Sequence, residues 1–240
     1  TYVSDDGKVG AIIEVNSETD FVGKNADFKA FVAALAKLVA DKSPADVDAL
    51  LKLEYPDSTM TVEEMLREKI LTIGENLNIR RFDRYEGSVA TYIHGGGRIG
   101  VMVNFDTDVA GKDGFAEVAK DVCMQIAAVN PQYICPDCVP AERVEKEKEI
   151  LTQQAINEGK PANIAEKMVA GRIKKFYKEI CLVEQEFVKD PDLSVKAYVE
   201  DAAKKLGGSI KISSFVRFEK GEGLEKREDN FADEVASMIK

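Results

Sequence analysis

Hydrophobic positions fall into two rhythms along this chain. Short apolar or alternating blocks mark strands, and stripes at spacings of three and four mark helices. Thr1-Tyr2-Val3 reads as the end of a strand, Ser4-Asp5-Asp6-Gly7 as a turn, and Val9 to Val15 as the returning strand. A hairpin that opens at residue 1 leads us to expect further chain upstream. After a polar connection, Phe28, Phe31, Val32, Leu35, Leu38 and Val39 form one helical stripe, with Asn25 or Asp27 as its cap. Ser43-Pro44 opens a short helix bearing Val47, Leu50 and Leu51, with proline at its first position. Thr61 and Glu64 make a capping box for a helix that runs through Met65, Leu66, Ile70 and Leu71 to Gly74. Leu77 to Phe82 alternates as a strand, Gly87 breaks the pattern, and Val89 to Ile93 resumes it.

Part of this pattern then recurs. Thr91 to Gly100 aligns without a gap on Thr1 to Gly10, an offset of 90, and Val101-Met102-Val103 continues on Ala11-Ile12-Ile13. A second polar connection leads to a helical stripe of Phe115, Val118, Val122 and Ile126. The pattern predicts an α+β fold of two related subdomains, each an antiparallel hairpin, then helices, then a closing strand. In the second, the closing strand is Ile210 to Phe218. That copy is interrupted by two charged helices, Glu142 to Asn157 and Ala162 to Ile180, joined by Glu158-Gly159-Lys160-Pro161. Their apolar stripes are narrow, so we expect an antiparallel helical hairpin that projects and buries its stripe helix on helix. Ser194 to Leu206 forms another helix, and Phe231 to Ile239 a short terminal one after the hinge Gly221-Glu222-Gly223. The expected domains are 1–88, then 89–139 with 182–220, with 140–181 as the inserted hairpin and 221–240 as a C-terminal module.

Composition narrows the function classes. A formal charge of −10 argues against a phosphate backbone as the main partner, and no run approaches the length of a membrane span. Four cysteines in 240 residues are too few for a disulfide scaffold, so a reducing, cytoplasmic setting is expected. Cys135-Pro136-Asp137-Cys138 is a CxxC pair, but a zinc site needs a second ligand pair, and Cys123, Cys181 and the single His94 stand at no ligand spacing. A plain loop therefore outweighs a redox or metal reading, and a thiol oxidoreductase using Cys135 and Cys138 is a weak rival. His94-Gly95-Gly96-Gly97-Arg98 lies inside a predicted β-hairpin, which suits a tight turn better than a phosphate cradle. Glu18 and Asp20 lack the apolar pocket that would separate two carboxyl pKa values. The residues alone thus describe a binding protein without catalytic machinery, cofactor or metal. Phe21 is its anomaly, a large aromatic in a polar strand-to-helix connection.

Glu14-Val15-Asn16-Ser17-Glu18-Thr19-Asp20-Phe21-Val22 resembles the signature of the bacterial translation elongation factor Ts family. Further motifs follow in the family's order: Ile73 to Arg81, His94 to Val101, Lys160-Pro161 with Ile164 to Val169, and Phe215 to Phe218 with Gly221 to Lys226. The resemblance covers essentially the whole chain. It departs in lacking the family's N-terminal three-helix module and in carrying Gly23 where Ala or Ser is usual. It implies a guanine-nucleotide exchange factor, not an enzyme, whose partner is the GTPase elongation factor Tu. By resemblance, Thr19, Asp20, Phe21 and Val22 dislodge the partner's magnesium ion, and His94, Gly95, Gly96 and Gly97 contact the partner near its phosphate loop. The hairpin matches the family's coiled-coil insertion, and Phe231, Val235 and Met238 lie on a C-terminal docking helix. The alternative is an assembly protein in which the hairpin forms a homodimer and Phe21 is core.

Overall fold

A computed structural model describes residues 1–159 and 161–224. The fold is α+β, with antiparallel sheets and helices. Strands β1 (Tyr2–Val3) and β2 (Val9–Asn16) lead into a short helix α1 (Asp20–Lys24) and the long α2 (Ala26–Lys42). Helices α3 (Val47–Leu51) and α4 (Val62–Ile73) precede β3 (Asn78–Glu86), which completes a sheet of order β1-β2-β3. Strands β4 (Ser88–His94) and β5 (Ile99–Thr107) follow, then α5 (Phe115–Val129). Helices α6 (Ala141–Asn157) and α7 (Ala162–Ile180) form the hairpin. After it come a small ribbon, β6 (Glu186–Phe187) and β7 (Asp190–Ser194), the helix α8 (Val195–Leu206), and β8 (Ile210–Glu219). Strand β8 closes the second sheet, of order β4-β5-β8.

Local chemistry explains the element ends. Asn25, not Asp27, caps α2 by accepting from the N–H groups of Asp27 and Phe28. The capping box of Thr61 and Glu64 is present in both directions. The expected helix start at Ser43-Pro44 is corrected. Ser43 ends α2 in a left-handed conformation, and Asp46 caps the following helix through the N–H of Ala49, so Pro44 lies in the connection. An aspartate able to accept from the helix end outcompetes a proline that only fits its first turn. The connection after β2 also differs from the open polar loop the sequence implied, since residues 20–24 form a turn of helix.

The two sheets share a register. Tyr2 pairs with Ala11 and Val3 with Gly10, and adding 90 to each number gives the pairs Tyr92 with Val101 and Ile93 with Gly100. A bulge falls after Glu14 in β2 and after Asn104 in β5, again 90 apart. Each sheet is covered by its own helices. Phe31, Leu35 and Val39 pack with Ala11, Ile13 and Ile79 in the first, while Val122, Ile126 and Val199 pack with Val101, Val103 and Phe105 in the second. The opposite faces meet through Ile12, Val89 and Met102. A Cβ at Gly10 would lie 2.4 Å from Val89 Cγ1, and one at Gly100 would lie 3.0 Å from Ile12 Cδ1. Bare backbone lets the sheets approach at these two points.

In the hairpin Val144, Leu151 and Ala155 of α6 and Ala165, Ile173, Phe176 and Ile180 of α7 are buried. Among the described residues no helix is long and apolar enough to cross a membrane. The expected terminal helix, with Phe231, Val235 and Met238, lies outside the described residues.

Candidate functional site

The turn α1 is held from both sides. Its one inward residue, Val22, is buried with Phe28 and Leu77 in a small cluster flanked by Val15, Leu66 and Ile70. This anchor rotates the preceding side chain outward, and Phe21 is 84% exposed. An apolar ring left in water on a pinned turn forgoes the stabilisation that burial would bring.

Thr19 supplies no side-chain cap to α1. Its hydroxyl donates instead to Glu75 Oε1, while Glu75 Oε2 accepts from the backbone N–H groups of Thr19 at 2.9 Å and Glu18 at 3.1 Å. Glu75 follows Gly74, which ends α4 at φ 79°, a conformation that favours glycine. The turn out of α4 thereby delivers a carboxylate to the backbone entering α1. On the other side Lys220 Nζ donates to Asp20 Oδ1 at 2.7 Å. This ammonium holds the Asp20 carboxyl below its ordinary value, first by the hydrogen bond and then by charge.

His94 ends β4, and the three glycines after it all have positive φ, from 60° to 104°. The turn is closed by the Arg98 N–H donating to the His94 carbonyl at 3.1 Å. A Cβ at Gly96 or Gly97 would meet nothing within 4 Å, so glycine is needed there for the backbone conformation and the turn is open to a visitor. The His94 ring is exposed, with Nδ1 3.1 Å from the Tyr92 hydroxyl.

The two segments belong to different sheets, and the exit of β8 links them. The backbone N–H of Lys220 donates to the Arg98 carbonyl at 2.8 Å while its side chain holds Asp20. Beside it Glu14, 7% exposed, gathers charge from several directions. Arg81 Nε donates to Glu14 Oε2 at 2.6 Å, Arg80 Nη1 to Oε1 at 3.0 Å, and the Gly221 N–H to Oε1 at 3.1 Å. Arg80 reaches on to the Glu222 carbonyl, and Arg81 lies over the Phe218 ring at 4.2 Å. Burial pushes the Glu14 pKa up, but the Gly221 N–H, the Asn16 amide and the two arginines outweigh it and leave it lowered.

Thus the structure places Thr19, Asp20 and Phe21 outward on one braced turn and His94 to Gly97 on another, tied through Lys220 and Arg98. Val22 faces inward, as the anchor. Sequence reasoning missed Glu75 and Lys220. Glu75 stood in a quoted motif and had a visible signal, a carboxylate after a helix-ending glycine. Lys220 had none, because nothing local joins residue 220 to residue 20. Among the described residues no group of three or more His, Cys, Asp or Glu is placed to hold a metal ion.

Comparison with known proteins adds an independent line. A family described as "Elongation factor TS" matches residues 18–222. The elongation factor Ts of Clostridium perfringens (strain SM101 / Type A) is 53% identical over 241 residues, covering 99% of this chain and 79% of the relative. That of Clostridium botulinum (strain Eklund 17B / Type B) is 50% identical over 242 residues, with 100% and 79% covered. That of Syntrophotalea carbinolica (strain DSM 2380 / NBRC 103641 / GraBd1) is 50% identical over 238 residues, with 98% and 78% covered.

Proposed function

This chain belongs to the elongation factor Ts family of translation elongation factors, and from that premise we propose that it is a guanine-nucleotide exchange factor for the GTPase elongation factor Tu. It promotes GDP release by displacing the partner's magnesium ion and disturbing its phosphate loop, by binding and not by covalent chemistry. The observation that carries this reading is the exposed Phe21 on a turn fixed by Val22, Glu75 and Lys220. An aromatic held rigid and outward costs little further ordering when it binds.

Magnesium requires near-octahedral oxygen geometry and tolerates little distortion. A ring and the Asp20 carboxylate pressed among the loops that hold it would spoil that geometry without touching GDP. The factor need only bind the empty partner better than the loaded one, and linkage weakens GDP by the same ratio. Burying the Phe21 ring contributes about 1.5–3 kcal/mol. Moving a balance from 1:99 to 99:1 takes about 5.5 kcal/mol. One ring is insufficient, so the His94 turn shares the work, and the hydrogen bonds of Lys220 to Asp20 and to Arg98 let both contacts press as one body. Phe231, Val235 and Met238 form a further docking surface in this reading.

Fluorescent-GDP release from elongation factor Tu, with and without the chain, tests the proposal. The chain accelerates release, and Phe21→Ala slows that acceleration about tenfold or more, taking a hot-spot loss of about 2 kcal/mol. Release unaffected by the chain refutes the function, and release unaffected by Phe21→Ala refutes the wedge.

The alternative assembly reading places Phe21 in the core, against its 84% exposure. Its other half keeps some support. The hairpin carries an apolar groove of about 650 Å³ between Ile156, Val169 and Ile173, with Ile150 and Ile164 also exposed. A homodimer seated there would show as a doubled mass in sedimentation, lost on Ile156→Glu.

A further inference from the structure

The Cys135–Cys138 pair is used by none of the chemistry above. The sequence favours a plain loop here, but the structure bonds the two sulfurs, with Cα atoms 5.2 Å apart, inside a 3-10 turn spanning Pro136–Cys138. The Cys138 N–H donates to the Cys135 carbonyl at 3.0 Å. Such a bond closes a loop with only two intervening residues, Pro136 and Asp137. Cross-links stabilise through the length of loop they close, so this one adds little to folding compared with a long-range bridge. CxxC pairs are instead suited to thiol–disulfide exchange.

Its surroundings favour that use. Cys138 is exposed and Cys135 half-buried, so one sulfur is open to attack and the other is sheltered as the leaving group. The remaining cysteines are not competitors. Cys123 and Cys181 are buried, and burial pushes their thiols up to about 12 and about 11. The described residues offer the pair no third metal ligand.

The pair also sits at a structural joint. Val139, the next residue, is buried with Val144, Phe176, Ile180 and Cys181 at the root of the hairpin. On its other side the carbonyls of Tyr133 and Ile134 accept from the N–H groups of Leu182 at 2.8 Å and Val183 at 3.0 Å. The bonded turn therefore spans from the segment that pairs with the hairpin's exit to the residue that starts its core.

We infer that Cys135–Cys138 is a thiol–disulfide exchange site for a dithiol reductant, and that its reduction loosens the root of the helical hairpin. A thiolate of the reductant attacks Cys138 Sγ, and the bond to Cys135 Sγ breaks. Cys135 leaves as a thiolate and takes a proton from water. The reductant's second thiol, losing its proton, attacks its own sulfur in the mixed disulfide and releases Cys138, which is protonated in turn. The protein gains two electrons and two protons, and the dithiol becomes a disulfide. This inference is independent of nucleotide exchange.

The purified chain is equilibrated in graded ratios of reduced to oxidised dithiothreitol. It is then alkylated briefly while still folded and mapped by peptide mass spectrometry. Cys135 and Cys138 convert together and reversibly, and Cys123 and Cys181 stay unlabelled in the folded chain. With glutathione disulfide, Cys135→Ser forms a mixed disulfide on Cys138 about tenfold faster than Cys138→Ser does on Cys135, because exposure governs access. Amide hydrogen exchange at Leu182 and Val183 is about tenfold faster in the reduced form. A pair that stays reduced at every ratio, or labels no faster than Cys123, overturns the site. Equal amide exchange in the two redox forms overturns the link to the hairpin.

Discussion

Lys220 Nζ donates to Asp20 Oδ1 at 2.7 Å across 200 residues of sequence, and the same lysine's backbone N–H donates to the Arg98 carbonyl. One residue at the end of the last strand thus fixes the orientation of the Phe21 turn relative to the His94 turn. Both partners of the ion pair are largely exposed, at 57% and 76%. Ion pairs this exposed are screened by solvent and contribute little to stability. Lys220→Ala is therefore expected to leave the melting temperature nearly unchanged while lowering stimulated GDP release up to about fivefold. The wild-type rate falls with added salt and the variant's falls less. Stopped-flow release at several salt concentrations checks both.

Glu75 acts on the same turn through its backbone. Its carboxylate accepts from two N–H groups and the Thr19 hydroxyl. Glu75→Ala leaves all three donors to water and frees the entry to α1. Because hydrogen bonds to a charged group are worth about 1.5–3 kcal/mol when sheltered and less here, the expected loss of exchange activity is about tenfold. Glu75→Gln keeps one acceptor oxygen and retains intermediate activity. A loss that appears in partner affinity alone, with the maximal rate intact, would place Glu75 in the interface and not behind the turn.

How far the sequence reaches depends on the range of the interaction. The elements were legible because stripes, caps and breakers act within a few residues, as at Thr61 with Glu64 and at Gly87. Phe21 was legible as an anomaly because an aromatic in a polar connection breaks the local rule. Asp46 as the cap of α3 was missed because Pro44 offered a competing local signal. The braces were missed for a different reason. Glu75 reaches Thr19 across 56 residues and Lys220 reaches Asp20 across 200, and only the closure of both sheets brings them together. The Cys135–Cys138 bond was misread because too few cysteines for a scaffold says nothing about a local pair.

Glu14 gives the fold a defined response to acid. Its pKa is lowered in the folded chain, so the folded state resists the proton that the unfolded state accepts. The stabilisation is complete above the ordinary glutamate value and is lost as pH falls through the lower folded one. Urea midpoints measured from pH 7 to pH 3 should fall more steeply for the wild type than for Glu14→Gln. Near neutrality the variant is the less stable of the two, and the gap narrows as pH falls through the lowered Glu14 pKa. Because Asp20, Asp108 and Glu219 are also lowered, the difference between the two proteins, not the wild-type slope, isolates Glu14.

The two glycines at the sheet–sheet contact should differ in cost although they occupy matching positions. At Gly10 an added Cβ falls 2.4 Å from Val89 Cγ1 and 3.1 Å from Met102 Sδ. Val89 is β-branched, only 9% exposed and stiff about χ1, so it has no low-energy way to retreat. At Gly100 the nearest atom is the Cδ1 end of Ile12, at 3.0 Å, which can rotate away. Overpacking costs about 1–3 kcal/mol. Gly10→Ala is expected at the upper end of that range and Gly100→Ala at or below the lower end, read from urea unfolding. The double variant Gly10→Ala with Val89→Ala should recover part of the loss, because the second change removes the clashing methyl. If Gly100→Ala proves the costlier of the two, the sheets meet closest at β5 and not at β2.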